Sequence, residues 1–328
     1  MLNFCTLFDS YYLSRGLSMY RSLEKHCPDF HLYIFPFDDK SYDMLKKLNL
    51  RHVTLVSLKE FENEDLLRVK PTRTKGEYCW TSTASTIYYC ITKFNLPDCT
   101  YVDADLFFFS DPSVLNKEMG EKSILITEHR YTPEYDQSSG NGIYCVQYIN
   151  FKNDTNGMRA LTWWKDRCIE WCFNRAEDGK FGDQKYLDDW TTRFEGVHVL
   201  QNLGGGVAPW NVQQYNIERK GKGYQITDKN GVTDELVFYH FHWVKFLHHW
   251  KVDLGCYNLD FPLVEDIYKE WLEDIVNVEK ELESKFQFRI IPAKNNFIRE
   301  SKEILSNIKR RVKGMYFIVD LKKFGISG

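Results

Sequence analysis

Cys-Thr-Tyr-Val-Asp-Ala-Asp-Leu-Phe-Phe-Phe-Ser-Asp-Pro, residues 99–112, joins an apolar strand to two acids placed two positions apart. In an extended segment Asp103 and Asp105 project from one side of the pleat, and Val102, Ala104 and Leu106 from the other. Two carboxylates so placed repel each other strongly in a dry site unless a cation or solvent neutralises them. Hard oxygen donors suit Mg²⁺ or Mn²⁺, ions that proteins commonly hold with one or two carboxylates together with substrate phosphates. The pair therefore points to a nucleotide-sugar site. The competing reading is a pair of solvated aspartates in a turn.

Working outward, the first 125 residues alternate strand and helix. Strands are expected at 3–8, 31–36, 53–57 and 100–103, and helices at 12–26, 40–48 and 77–94. Further strands are expected at 123–128 and 143–150. The alternation implies an α/β fold in which a mostly parallel sheet carries helices on both faces, with ligands at the carboxyl ends of the strands. The acid pair sits at such an end. Leu161, Trp164, Cys168 and Trp171 recur at helical spacing, and their tryptophans read as core. Residues 129–139 read as a loop over an acceptor, Gly204 to Gly206 as a flexible turn, and Trp210 as a ring for stacking on a sugar or for the core.

Five other segments follow in order. Asn3 to Leu23 reads as a strand, a short polar loop and a helix with Leu17, Tyr20 and Leu23 on one face. Pro71 to Trp80 sets Arg73 and Lys75 ahead of a helix. Gly140 to Phe151 is a Gly-rich approach to a strand, where small residues let backbone come close to a ligand or simply make a turn. Gly182-Asp183-Gln184-Lys185-Tyr186-Leu187 opens a helix, with Asp183 suited to its N-cap. In Phe238 to Phe246, His240 and His242 share one face while Phe241 and Trp243 take the other.

Together these segments resemble glycosyltransferases of the GT-A fold, and most closely the retaining family 8 enzymes, which include glycogenin and bacterial lipopolysaccharide sugar transferases. The resemblance implies a Rossmann-like mixed sheet and a metal site for Mn²⁺ or Mg²⁺ made by Asp103, Asp105 and His240. His240 is preferred to His242 because the family's His-Phe or His-Tyr pair aligns with His240-Phe241. Thr6, Leu7, Asp9 and Tyr12 become uridine contacts, although Leu7 reads equally well as strand core. Lys75 and Lys245 fall to the diphosphate, Asp103 to metal or ribose, and Asn141 and Gly142 to the donor sugar. Asp183 and Gln184 become the catalytic pair, the carboxylate on sugar hydroxyls and the amide near the anomeric carbon. Three spacings depart from the family. One residue is added in Thr74-Lys75-Gly76-Glu77-Tyr78-Cys79-Trp80, the approach to Asn141 differs, and Lys245 lies one residue nearer its histidine. His248 and His249 receive no role.

The implied activity is metal-dependent transfer of a sugar, with retention, from a UDP-sugar to a glycan or lipid-linked acceptor in bacterial-type surface polysaccharide or lipopolysaccharide synthesis. Two rivals are a nucleotidyltransferase or sugar-nucleotide pyrophosphorylase and a catalytically silent sugar-binding scaffold. The former usually carries a Gly-rich phosphate loop after its first strand, and Phe8-Asp9-Ser10-Tyr11 has no glycine.

With 328 residues, 43% of them hydrophobic, the chain buries a substantial core. Its apolar runs, such as Leu106 to Phe109, fall far short of the roughly 20 residues that span a bilayer. The 9 cysteines are odd in number and form no Cys-x-x-Cys pair. With no signal peptide, they imply reduced thiols in a cytoplasm, and zinc is not expected. A net charge of −3 makes no case for nucleic acid.

Residues 1–255 are read as the catalytic domain and 256–328 as a helical extension. Residues 260–285 are acidic and helical, whereas 294–328 carry nine Lys or Arg against three acids, a balance of +6. Phe297, Ile298, Ile304, Leu305 and Ile308 recur near helical spacing beside Lys309, Arg310, Arg311 and Lys313. Such a helix suits peripheral docking on an anionic inner membrane face, or packing on the catalytic domain or in a homodimer interface.

Overall fold

The computed structural model describes residues 1–247, 251–259, 264–291, 308, 310–312 and 317–326. The chain runs β1 (Leu2–Phe8), α1 (Leu13–His26), β2 (Phe30–Pro36), α2 (Asp39–Leu48) and β3 (Val53–Leu55). Short helices α3 (Leu58–Phe61) and α4 (Glu64–Val69) lead to the long α5 (Lys75–Phe94), then β4 (Asp98–Val102) and β5 (Leu106–Phe108). There follow α6 (Ser113–Glu118), β6 (Ile124–Glu128), α7 (Ser138–Asn141), β7 (Tyr144–Lys152), α8 (Thr155–Glu170), α9 (Trp190–Arg193) and β8 (Val197–Val199). The remaining elements are β9 (Asn216–Lys220), β10 (Gly223–Thr227), β11 (Thr233–Glu235), β12 (Phe238–His240), β13 (Lys245–Phe246), β14 (Lys251–Asp253), α10 (Glu265–Phe286) and β15 (Ile318–Asp320).

Seven strands form the central sheet in the order β3-β2-β1-β4-β7-β6-β8. β2, β3 and β4 run parallel to β1 and its neighbours, and β7 alone is reversed between β4 and β6. The order turns about β1: the chain first builds outward through β2 and β3, then crosses back to lay β4 on the other side. At such a switch point the loops leaving the strands' carboxyl ends diverge and open a crevice. Asp9 follows β1 there, and Asp103 follows β4.

The expected alternation of strand and helix is observed, and the differences at element ends have local causes. The helix expected from Glu77 starts two residues earlier because Thr74 and Glu77 form a capping box: the Thr74 hydroxyl accepts from Glu77 N (3.3 Å) and the Glu77 carboxylate from Thr74 N (2.8 Å). The strand expected to carry Asp103 ends at Val102. Asp103 to Asp105 form a turn, closed by Leu106 N donating to the Asp103 carbonyl (3.3 Å). Gly182 to Leu187 is not a long helix: only Gln184–Leu187 winds, as one 3₁₀ turn, and the Asp183 side chain does not cap it.

One apolar layer lies between the sheet and α1, and another between the sheet and the α5–α8 pair. α10 belongs to this architecture as well. Ile267, Tyr268, Trp271 and Leu272 pack beneath β12, whereas Val278 and Leu282 enter the layer built on α1. Arg21 of α1 pairs with Glu281 and Asp274 of α10. Among the described residues no helix is long and apolar enough to cross a membrane. Most of the basic segment 294–328, including Phe297, Ile298, Ile304, Leu305, Lys309 and Lys313, lies outside the described residues, as do His248 and His249. Ile308 is exposed, and Arg310 pairs with Asp253 at 2.6 Å.

Cys5, Cys90 and Cys99 meet in the core with their sulfurs within 4.8 Å. Burial holds the Cys90 and Cys99 thiols well above the ordinary range, so these two stay protonated and pack as small apolar groups.

Gly204 to Gly206 is a tight packing site where flexibility was expected. A Cβ on Gly204 would stand 1.9 Å from the Glu235 carbonyl oxygen, and Gly206 takes φ +108°. Gly204→Ala is expected to lower stability by about 3 kcal/mol. Gly76→Ala, in the first turn of α5 with nothing within 4 Å of the added carbon, is expected to raise it by about 0.5–1 kcal/mol. Urea unfolding of the two variants checks both signs.

Candidate active site

The turn after β4 brings Asp103 and Asp105 toward one point, and β12 supplies the third group. β12 pairs antiparallel with β5 so that His240 lies opposite Leu106. Phe241 N donates to the Asp105 carbonyl (2.9 Å) and His240 N to the Val207 carbonyl (2.9 Å), which locks the histidine backbone beside the turn. His240 Nε2 stands 3.0 Å from Asp105 Oδ1 and 3.8 Å from Asp103 Oδ2. Donor atoms from the three side chains all fall within 4.8 Å of one another. His240 and Asp105 are buried, whereas the Asp103 side chain is 30% exposed, so the cluster opens to solvent on its Asp103 side.

Charges in this cluster lean on one another. Burial disfavours the His240 imidazolium, but the charge and hydrogen bond of Asp105 outweigh it and hold the ring well above the ordinary histidine range. Burial also opposes the Asp105 carboxylate, and the His240 charge overcomes it and holds that group low. Asp103 is pushed up by burial and by repulsion from Asp105. Asp183 is buried nearby, and burial together with the charge of Asp103 raises its carboxyl to about 7.

The other sequence-derived residues fall into three groups. Gln184 and Asn141 meet: Gln184 Nε2 donates to the Asn141 carbonyl (2.8 Å), and Gly142 packs on the Gln184–Lys185 backbone. Thr6, Asp9 and Tyr12 gather at the end of β1. The Thr6 hydroxyl is buried without a hydrogen-bond partner, and Asp9 closes the loop by accepting from Tyr11 N and Tyr12 N (3.0 and 3.2 Å). Burial and then the Asp105 charge raise the Tyr12 hydroxyl. Leu7 joins the core with Tyr33 and Tyr78, as its strand reading allowed. Lys75 and Lys245 are exposed, and neither has an ion-pair partner among the described residues. Trp210 is buried, so it is no sugar platform. Its ring stands edge-on to His240 and His242, both at 5.3 Å, and its indole N–H donates to the His129 carbonyl (2.9 Å).

Three supporting residues escaped sequence reading. Gln147 on β7 is fully buried with its Oε1 2.7 Å from His240 Nδ1. That amide oxygen can only accept, so Nδ1 carries the hydrogen and Nε2 faces the two acids. Arg15 sits on the buried side of α1, donates to the Val244 carbonyl (2.8 Å) and stacks over Tyr12 at 4.6 Å, and its charge helps hold Asp105 low. An arginine amid the apolar positions of α1 is a visible signal; a lone glutamine in a strand is not. His129 stacks on Tyr131 (4.5 Å) beneath Trp210.

The fold is that of GT-A glycosyltransferases: the galactosyltransferase LgtC, solved in complex with donor and acceptor sugar analogues, superposes with a TM-score of 0.54 at 11% identity, over 87% of this chain and 100% of LgtC. No family model matches the sequence. Two curated proteins of Bacillus subtilis (strain 168) do. The uncharacterized protein YfnD is 34% identical over 248 residues, 73% of this chain and 76% of YfnD, and the uncharacterized protein YfnF is 30% identical over 293 residues, 86% and 95% of the two. This chain belongs to the family of YfnD and YfnF.

Burial holds the His129 ring down to about 3, neutral in the folded protein, while Nδ1 lies 3.2 Å from the Ile143 carbonyl. An unfolded histidine takes its proton near pH 6.5, so His129 leaves stability unchanged above that value and erodes it as pH falls, by about 1.4 kcal/mol per pH unit. His129→Asn keeps a donor toward Ile143 without the titration. Between about pH 6.5 and 5 the variant is expected to lose about 2 kcal/mol less than the parent in urea unfolding.

Proposed function

We propose that this protein is a metal-dependent glycosyltransferase that moves a sugar from a UDP-sugar to a glycan or lipid-linked acceptor, with retention, in the synthesis of a bacterial-type surface polysaccharide. The observation that carries the reading is the meeting of Asp103, Asp105 and His240 at the carboxyl ends of β1 and β4, where a GT-A sheet opens its crevice. We place the catalytic unit in residues 1–255 of a cytoplasmic protein.

The three residues fit Mn²⁺ or Mg²⁺. Two carboxylates and an imidazole make an oxygen-rich donor set, and the Gln147 contact leaves His240 Nε2 as the coordinating nitrogen. When bound, the ion neutralises charge developing on the diphosphate leaving group. Lys75 and Lys245 add positive charge on the same group. Thr6, Asp9 and Tyr12 receive the uridine, and Asn141 and Gly142 bring backbone to the donor sugar. Asp183 binds sugar hydroxyls, as a donor or an acceptor according to its proton. Gln184 donates one amide hydrogen to the Asn141 carbonyl and offers Oε1 as an acceptor beside the anomeric carbon. In the retaining reaction the acceptor hydroxyl attacks from the face the diphosphate leaves, and its proton passes to the departing phosphate oxygen.

A panel of UDP-, GDP- and CMP-sugars tests the reading, followed by thermal shift and slow donor hydrolysis with and without Mn²⁺. One UDP-sugar is expected to give metal-dependent stabilisation and hydrolysis. No response to any nucleotide sugar would return the chain to a binding scaffold. Asp105→Asn is expected to lower hydrolysis by about 100-fold or more and to abolish the metal-dependent shift. Gln147→Met, which frees the His240 tautomer, is expected to weaken Mn²⁺ binding by about 10- to 100-fold, read by calorimetric titration.

A further inference from the structure

The loop from Phe241 to Phe246 holds a residue that the donor chemistry leaves unused. Trp243 has φ +65°, a left-handed backbone that glycine adopts freely and a bulky side chain only at a cost. Burial within the protein does not offset that cost, because the indole is 55% exposed. Among the described residues its ring meets His242, near-parallel at 6.0 Å and 12°, and the Lys245 ammonium at 5.6 Å. A strained, exposed indole next to a candidate site marks a side chain held for a ligand.

Trp243 is also not isolated. A file of rings leads outward from the acid cluster, from His240 to His242 (5.6 Å) and from His242 to Trp243. Among the described Phe, Tyr and Trp residues only Tyr11 is comparably exposed. Arg15 links the two, lying 5.7 Å from the Tyr11 ring while donating to the carbonyl of Val244, the residue after Trp243. Among the described residues these two exposed rings therefore lie on either side of Arg15.

We propose that Trp243, with Tyr11 beside it, is the aromatic platform on which a pyranose ring of the acceptor stacks. The inference rests on the glycosyltransferase reading for the word acceptor alone. An indole face accepts the C–H face of a pyranose and leaves the sugar's hydroxyls in water, so binding needs no buried polar partner. Lys245 and His242 hold the indole from one side of the loop, and Arg15 fixes the backbone that presents it.

Fluorine NMR of the full chain grown with fluorinated tryptophan tests this directly. The protein has 9 tryptophans, and Trp243→Phe identifies the resonance of interest by removing it. The probes are methyl glucoside, methyl galactoside, methyl N-acetylglucosaminide, maltose, lactose and cellobiose, each to about 50 mM, enough to fill a millimolar site, with UDP and Mn²⁺ in a separate arm. At least one saccharide is expected to move the Trp243 resonance saturably, and as strongly with UDP and Mn²⁺ present as without them, since the nucleotide reaches only the neighbouring Lys245. Were no saccharide to move it, or were UDP with Mn²⁺ to abolish the saccharide shift, the platform would be overturned. A saccharide response in a protein whose melting ignores every nucleotide sugar would keep the platform and sink the donor reading, so the two failures are told apart.

Discussion

Two carboxylates and one imidazole share a space in which they cannot all be content without a cation. Asp103 and Asp105 repel, and the ring of His240 answers by holding a proton between them. A divalent ion in the same place would take over that proton's role. The backbone of His240 is pinned by β5 and by Val207, its Nδ1 by Gln147, and its ring by the edge of Trp210. Each contact removes a degree of freedom that a metal ligand would otherwise lose on binding.

Neighbouring titratable groups are kept neutral, which concentrates charge at the trio. His129, buried, and His242, half-buried, stand beside Trp210 and are held down by desolvation to about 3 and about 4, so neither adds a positive charge that would compete with a cation. Asp183 titrates near neutrality. Arg15 is the exception, a buried cation held against aromatic rings and a carbonyl. Its position ties α1 at the start of the chain to the loop after β12, more than two hundred residues later. The same tie fixes the backbone of the loop that carries Lys245 and Trp243.

The sheet was legible in the sequence because its strands are buried runs separated by amphipathic helices, a pattern set by burial alone. The acid pair was legible because two carboxylates at a strand end carry a stated chemistry, and His240 through the resemblance of its His-Phe pair to that of the family 8 enzymes. Geometry still differed: a turn, rather than the pleat, brings Asp103 and Asp105 together. Thr74 and Glu77 offered a capping box whose reading would have placed Lys75 inside α5. Gly204 to Gly206 read as a flexible turn, and the packed carbonyl of Glu235 shows why no side chain fits at Gly204. Gln147 was beyond reach, since its role depends on a partner 93 positions away in the chain. Trp210, read as a ring that stacks on a sugar or joins the core, is buried, and Trp243, read only for its face, is exposed, because exposure is decided by tertiary packing rather than by residue type.

The central claim is that Asp103, Asp105 and His240 are one metal site. Anomalous diffraction at the manganese edge, from crystals soaked with Mn²⁺ and UDP, tests it most directly. A single peak within bonding distance of all three side chains is the predicted result. A peak elsewhere, or no peak with the three side chains ordered, would contradict it.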